Sequence, residues 1–204
     1  MTFVAIQPAQ AADATFAIGD KTFTMPIPAG FCLPAGKDAA VAQLIASADS
    51  QNVTVLTLVK CSHVPGTGME DYFLLKSPVR ALMMDMPREE LLAALQPELA
   101  AQDNLMSDAN KAKVDENLSN AFGTAASVGG AYRYVGRTGA CLDMAGTMTF
   151  SANGKSVETD AASCLTGVGG KMLAIHHYSK HGAATFAGLL ATVRTMAATV
   201  RAAD

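Results

Sequence analysis

One turn constrains this chain more than any other feature. Ser151-Ala152-Asn153-Gly154 stands between two runs of strand composition, with Cys141 upstream and Cys164 downstream. Asn-Gly is a strong hairpin signal, because both residues adopt left-handed backbone at low cost. A four-residue loop over 151–154 pairs Phe150 with Lys155, and that register sets Cys141 opposite Cys164, within disulfide reach. A two-residue Asn153-Gly154 turn displaces the register by two. Closing a loop of this size stabilises by roughly 3 kcal/mol.

The other two cysteines are Cys32 and Cys61. Four cysteines allow three pairings, and chain position favours Cys32–Cys61 with Cys141–Cys164. No C-x-x-C pair occurs, so zinc-ribbon and thioredoxin-type chemistry have no support. An even, dispersed set points to structural disulfides and an oxidising compartment. Residues 1–12, MTFVAIQPAQAA, agree with this. Ala9-Gln10-Ala11 has the small-x-small form of a signal-peptidase site, preceded by the apolar Phe3 to Ile6. These residues are expected to be the remnant of a signal peptide or a disordered tail, and the protein is expected in the periplasm or secreted. With 16% charged residues and a net charge of -3, the chain is not a basic nucleic-acid binder. Nor does any apolar run reach the roughly 18 residues of a membrane span.

The remainder, 13–204, is expected to form a single α+β domain. Phe16 to Met25 alternates around a Gly19-Asp20 tip. Asp38 is placed to cap a helix over about 39–48, with Val41, Leu44, Ile45 and Ala48 inward. Asn52 to Cys61 is apolar on both faces and is expected to be a central strand. Pro87 suits a first helical position, with Glu89 and Glu90 in the first turn, and Pro97 is expected to interrupt that helix near Leu95. A polar helical insertion is expected at about 97–125. Four strand candidates then follow as a meander: Ala131–Arg137, Cys141–Phe150, Val157–Leu165 and Met172–Tyr178. Ala184 to Arg201 closes the chain as an amphipathic helix.

The opening Phe23-Thr24-Met25-Pro26-Ile27-Pro28-Ala29-Gly30-Phe31, the mid-chain helix, the meander and the closing helix together resemble the Mog1/PsbP-like group. The resemblance implies an antiparallel sheet flanked by helices, an α/β/α sandwich. It also implies a binding or accessory role rather than catalysis. It carries no site residue over, and the cysteines match no pattern of the group.

Candidate chemistry centres on histidine. His176 and His177 are neighbours on a strand and so point to opposite faces, which argues against one shared metal. His181 lies past the strand end, where it can fold back, and His63 is distant. These four are the weak metal candidates, and a hydrolase site near His176, His177 or His181 is the alternative to a binding module. Gly170-Lys171 and Gly154-Lys155 lack the first glycine of a phosphate loop and read as hairpin turns. Tyr132 and Tyr134 are expected on one strand face, with Arg133 and Arg137 on the other. Met83, Met84, Met86, Met144 and Met148 read as adaptable packing. No catalytic residue and no cofactor is assigned. The expected function is an exported, non-enzymatic module that binds a protein or small molecule, stabilised by two disulfides.

Overall fold

The computed structural model describes residues 13–62, 70–106 and 108–203. The signal-peptide segment 1–12 and His63 lie outside them. Strands β1 (Asp13–Ile18) and β2 (Lys21–Pro26) form the opening hairpin around Gly19-Asp20. Their alternation buries Ala14, Phe16, Ile18, Phe23 and Met25. The two-residue strand β10 (Arg201–Ala202) returns to β2, completing a small sheet ordered β1-β2-β10.

The main sheet is antiparallel throughout. Its strands are β3 (Phe31–Cys32), β4 (Asn52–Lys60), β5 (Asp71–Pro78), β6 (Ala126–Thr138), β7 (Cys141–Ala152), β8 (Lys155–Val168) and β9 (Lys171–Lys180). They are ordered β3-β4-β5-β9-β8-β7-β6. The expected meander is therefore present, with longer strands, and β9 continues it onto β5. β4 is not central. It lies one strand from the edge, screened only by the short β3, and Val53 is 39% exposed. Periodicity reports apolar faces, not neighbours in the sheet.

Among the described residues four α-helices flank the sheet: α1 (Lys37–Ala48), α2 (Arg88–Ala100), α3 (Asp108–Phe122) and α4 (Phe186–Thr199). The arrangement is α+β, helices on both faces of an antiparallel sheet. One face packs on α4. Leu189, Val193, Met196 and Ala197 meet Leu58, Phe73, Leu75, Cys164, Leu173 and Ile175 in one dry core. Thr185 caps α4, its side chain accepting from the Gly188 N–H. The opposite face carries α2, whose Leu92 joins Tyr132, Leu142, Met144, Ala161 and Leu165.

Local detail departs from expectation in three helices. Gly36, not Asp38, stands at the start of α1, without a side-chain cap, and Asp38 is buried inside the helix. Ala42 and Ala48 face inward, whereas Val41 is exposed. α2 runs through Pro97 to Ala100. Proline removes the amide that would bond Ala93, which is exposed, so water can take that carbonyl. The polar stretch after α2, which includes α3, is held to the sheet edge by its side chains. Asn104 Oδ1 accepts from the Tyr132 N–H at 3.0 Å, and its amide donates to the Gly130 carbonyl. The Leu105 N–H donates to the Tyr132 carbonyl. From α3, Asp115 accepts from the Val128 N–H, and Ser119 serves both the N–H and the carbonyl of Ala126. These groups cap the outer edge of β6 as a neighbouring strand would.

Candidate functional site

Both disulfides close as paired above. Cys32–Cys61 and Cys141–Cys164 each have a Cα–Cα distance of 5.1 Å. The register argument for the second needs correcting. Asn153 (φ 52°) and Gly154 (φ 72°) are both left-handed and make a two-residue turn, so Ala152 pairs with Lys155. Cys164 then faces Asp143, and the bond to Cys141 runs diagonally across the strand pair. The two bonds differ in setting. Cys141 and Cys164 are sealed in the α4-face core, whereas Cys61 is exposed at the end of β4.

The three described histidines each take a separate carboxylate or hydroxyl partner, and none pairs with another. His177 lies on the α4 face. It is stacked on Phe73 at 4.0 Å between ring centroids, and its Nε2 is 2.8 Å from Asp71 Oδ1. Lys60 bonds the other Asp71 oxygen. Burial works to raise the Asp71 carboxyl, but the bonds from His177 and Lys60 outweigh it and hold it below the usual range. His181 folds back from the end of β9, though to Asp160 rather than to a histidine. Asp160 also accepts from the Gly182 N–H and the Thr147 hydroxyl. The bond to Asp160 raises the His181 pKa. Burial works to raise the buried Asp160, yet those bonds keep it lowered.

His176 lies on the α2 face. The Gly169-Gly170 turn pairs Val168 with Lys171, which sets Ser163 of β8 opposite His176 of β9. The Ser163 hydroxyl is 2.5 Å from His176 Nδ1. The Tyr132 hydroxyl donates to Ser163 in turn. Tyr132 belongs to β6, two strands away, so its ring must cross β7. The residue facing it there is Gly146, which puts no side chain in the way. A Cβ on Gly146 would lie 1.8 Å from the Ala131 carbonyl oxygen, so this lane requires glycine. Burial, aided by the charge of Lys76, lowers the His176 pKa to about 3. Beside it Tyr178 stacks on Tyr72 at 4.8 Å, and burial raises both phenols. Lys76 pairs with Asp49 at 2.7 Å.

Other marked residues have structural roles. A β-bulge between Tyr134 and Gly136 separates the two arginines that strict alternation put together. Arg137 consequently pairs with Glu89 of α2, opposite Leu142, while Arg133 is exposed. Lys171, 1% exposed, bonds Asp20 at the tip of the β1–β2 hairpin. Lys155 sits on the Asn-Gly turn. Met144 and Met148 pack on the α2 face, and Met83 is 75% exposed. No group of three His, Cys, Asp or Glu suited to a metal occurs among the described residues. A groove of about 340 Å³ lies between Pro26–Pro28 and α4, away from the histidines.

No protein-family model matches the chain, and no curated protein matches it. Among solved structures, it is similar to cyanobacterial PsbP (CyanoP) from Synechocystis sp. PCC 6803, with 8% identity and a TM-score of 0.42. The match spans 100% of this chain and 98% of that one. It accords with the resemblance drawn from the opening segment and element order. A TM-score this low carries no argument about the site, which stands on its own side chains.

Proposed function

We propose that this chain is an exported, non-enzymatic binding or accessory module of the periplasm or extracellular space. The observation that carries the proposal is the complete pairing of its four cysteines in two disulfides, a state that reducing compartments do not maintain. Residues 1–12 act as the tail of the export signal. No helix of the described residues is long and apolar enough to cross a membrane. The partner is a protein or a small molecule, and not a nucleic acid, given the acidic net charge.

The hydrolase alternative is favoured by one contact, Ser163 to His176. Two facts weigh against it. Ser163 is 0% exposed, and its oxygen already accepts from Tyr132. A nucleophile must reach substrate, and this one is spent inside the sheet.

Alkylation and mass spectrometry of protein from its native host test the proposal. No alkylated cysteine, and a chain beginning at Ala12, are expected. Four alkylated thiols would overturn export. Turnover of p-nitrophenyl acetate that Ser163→Ala abolishes would replace the binding module with the hydrolase.

A further inference from the structure

The fold guards its sheet edges unequally. Asn104, Asp115 and Ser119 cover β6. On the other side of the main sheet, β3 is two residues long, and β4 beyond it is broken by a bulge between Thr54 and Leu56. β1 is an edge of the small sheet and has no such device. Its six residues pair with β2 without a break in register, and Ala14 to Ile18 include no proline and no charge.

The phase of the backbone bonds shows what this edge offers. The Ala203 N–H donates to the Thr22 carbonyl, so Thr22 and Thr24 turn their backbone groups toward β10. Opposite them on β1 stand Ala17 and Thr15. Residues in such a wide pair turn their N–H and C=O groups away from each other. The backbone groups of Asp13, Thr15 and Ala17 therefore point out of the free edge, and none of the described residues bonds them. The same three residues are exposed, while the alternate Ala14, Phe16 and Ile18 are buried.

A bare row of donors and acceptors is completed by another strand. This edge suits a second copy of itself. With an antiparallel two-fold through Thr15, that residue exchanges both backbone bonds with Thr15 of the second copy, and Asp13 meets Ala17 on either side. Threonine then faces threonine, a favourable cross-strand pair, and the two carboxylates stay apart. We propose that the β1 edge is a homodimer interface, joining two small sheets into one continuous antiparallel sheet around that two-fold. The export reading enters in one respect: cleavage before Ala12 leaves no preceding segment of the chain to lie along the edge.

Sedimentation equilibrium of the chain purified from its native host, across a thousandfold concentration range, tests this. So small an interface is expected to dissociate on the order of 10–100 μM. Ala17→Pro removes an outward N–H and leaves the β1–β2 ladder whole. Its fold, followed by circular dichroism, should be retained while dimerisation weakens roughly tenfold or more. Thr15→Lys keeps every backbone donor but sets two ammonium groups face to face at the two-fold. Dimerisation should weaken there too, and added salt should recover part of the loss. A monomer at every concentration overturns the inference, as does a dimer that either variant leaves unchanged. Mass spectrometry of the same sample reads the N-terminus and the cysteines. A monomer beginning at Ala12 with both disulfides closed overturns the dimer and leaves export standing. A dimer with four free thiols does the reverse.

Discussion

The two faces of the seven-stranded sheet are built on different terms. On the α4 face, Phe23, Leu58, Phe73, Leu75, Leu173 and Ile175 are each at 0% exposure, and a disulfide lies among them. Charge enters there only with a partner, as in the fork from Arg194 to the buried Asp143 at 2.9 and 3.1 Å. On the α2 face, the middle of the sheet carries Tyr72, Lys76, His176 and Tyr178, all half-buried. The overlying α1 and α3 contribute Leu44, Ile45, Leu118 and Phe122, which are also only half-buried. Dry packing gives stability without chemistry. A half-wet face surrenders some apolar burial and keeps polar groups within reach of solvent. The first face is where the fold is secured, and the second leaves polar side chains partly open to solvent.

Truncation should expose that difference most sharply. Phe23→Ala removes a fully buried ring and is expected to cost about 3–5 kcal/mol. Tyr178→Ala, on the half-wet face, should cost less than about half as much. Denaturant unfolding of the two variants checks this, and equal losses would abolish the contrast.

The disulfides sharpen it next. Replacing both Cys141 and Cys164 by Ala is expected to cost about 3 kcal/mol. Under graded reductant in the folded state, the exposed Cys32–Cys61 bond should open first and the core bond only on unfolding. Mass spectrometry after timed alkylation reads the order.

Acid should act mainly through the half-wet face. His176 has a folded pKa of about 3 against roughly 6.5 unfolded. Its contribution is therefore present above pH 6.5 and is lost as pH falls towards 3, on the order of 3 kcal/mol by pH 4. The raised pKa of His181 works in the opposite sense. It stabilises fully below about pH 6.5 and fades as pH rises through the folded value, so it adds no slope on the acid side. The lowered Asp49, Asp71 and Asp160 begin to weaken the fold only near and below pH 4. Between pH 4 and 6.5, then, His176→Phe should flatten the stability curve. A slope unchanged in that variant would assign the acid sensitivity elsewhere.

The smallest expected effect lies at the sheet edge. Asn104→Ala removes three bonds, to the Tyr132 and Met106 N–H groups and the Gly130 carbonyl. A loss of about 1–2 kcal/mol is expected. Concentration-dependent association should accompany it, since part of β6 then offers unpaired backbone. Sedimentation across a hundredfold concentration range distinguishes this from simple destabilisation.

Much of this architecture was legible in the chain itself, wherever the deciding physics is local. Asn153-Gly154 specified a turn, because both residues tolerate left-handed backbone. The alternation of β1, the spacing in α4 and the even cysteine count announced a hairpin, a packed helix and two disulfides. The His176–Ser163 pair had a faint signal too. Taking Gly169-Gly170 as a two-residue turn places those residues opposite each other. What the chain did not announce depends on contacts between distant segments. The β6 bulge carried Arg137 to Glu89, forty-eight positions away. Asn104 and α3 became an edge cover only once β6 had a free edge to cover. Tyr132 reached Ser163 only because Gly146 lay between them. Residue preference acts over a few neighbours and sets the elements. Register, sheet order and the meeting of side chains follow from how those elements close around one core, and only the tertiary structure decided them.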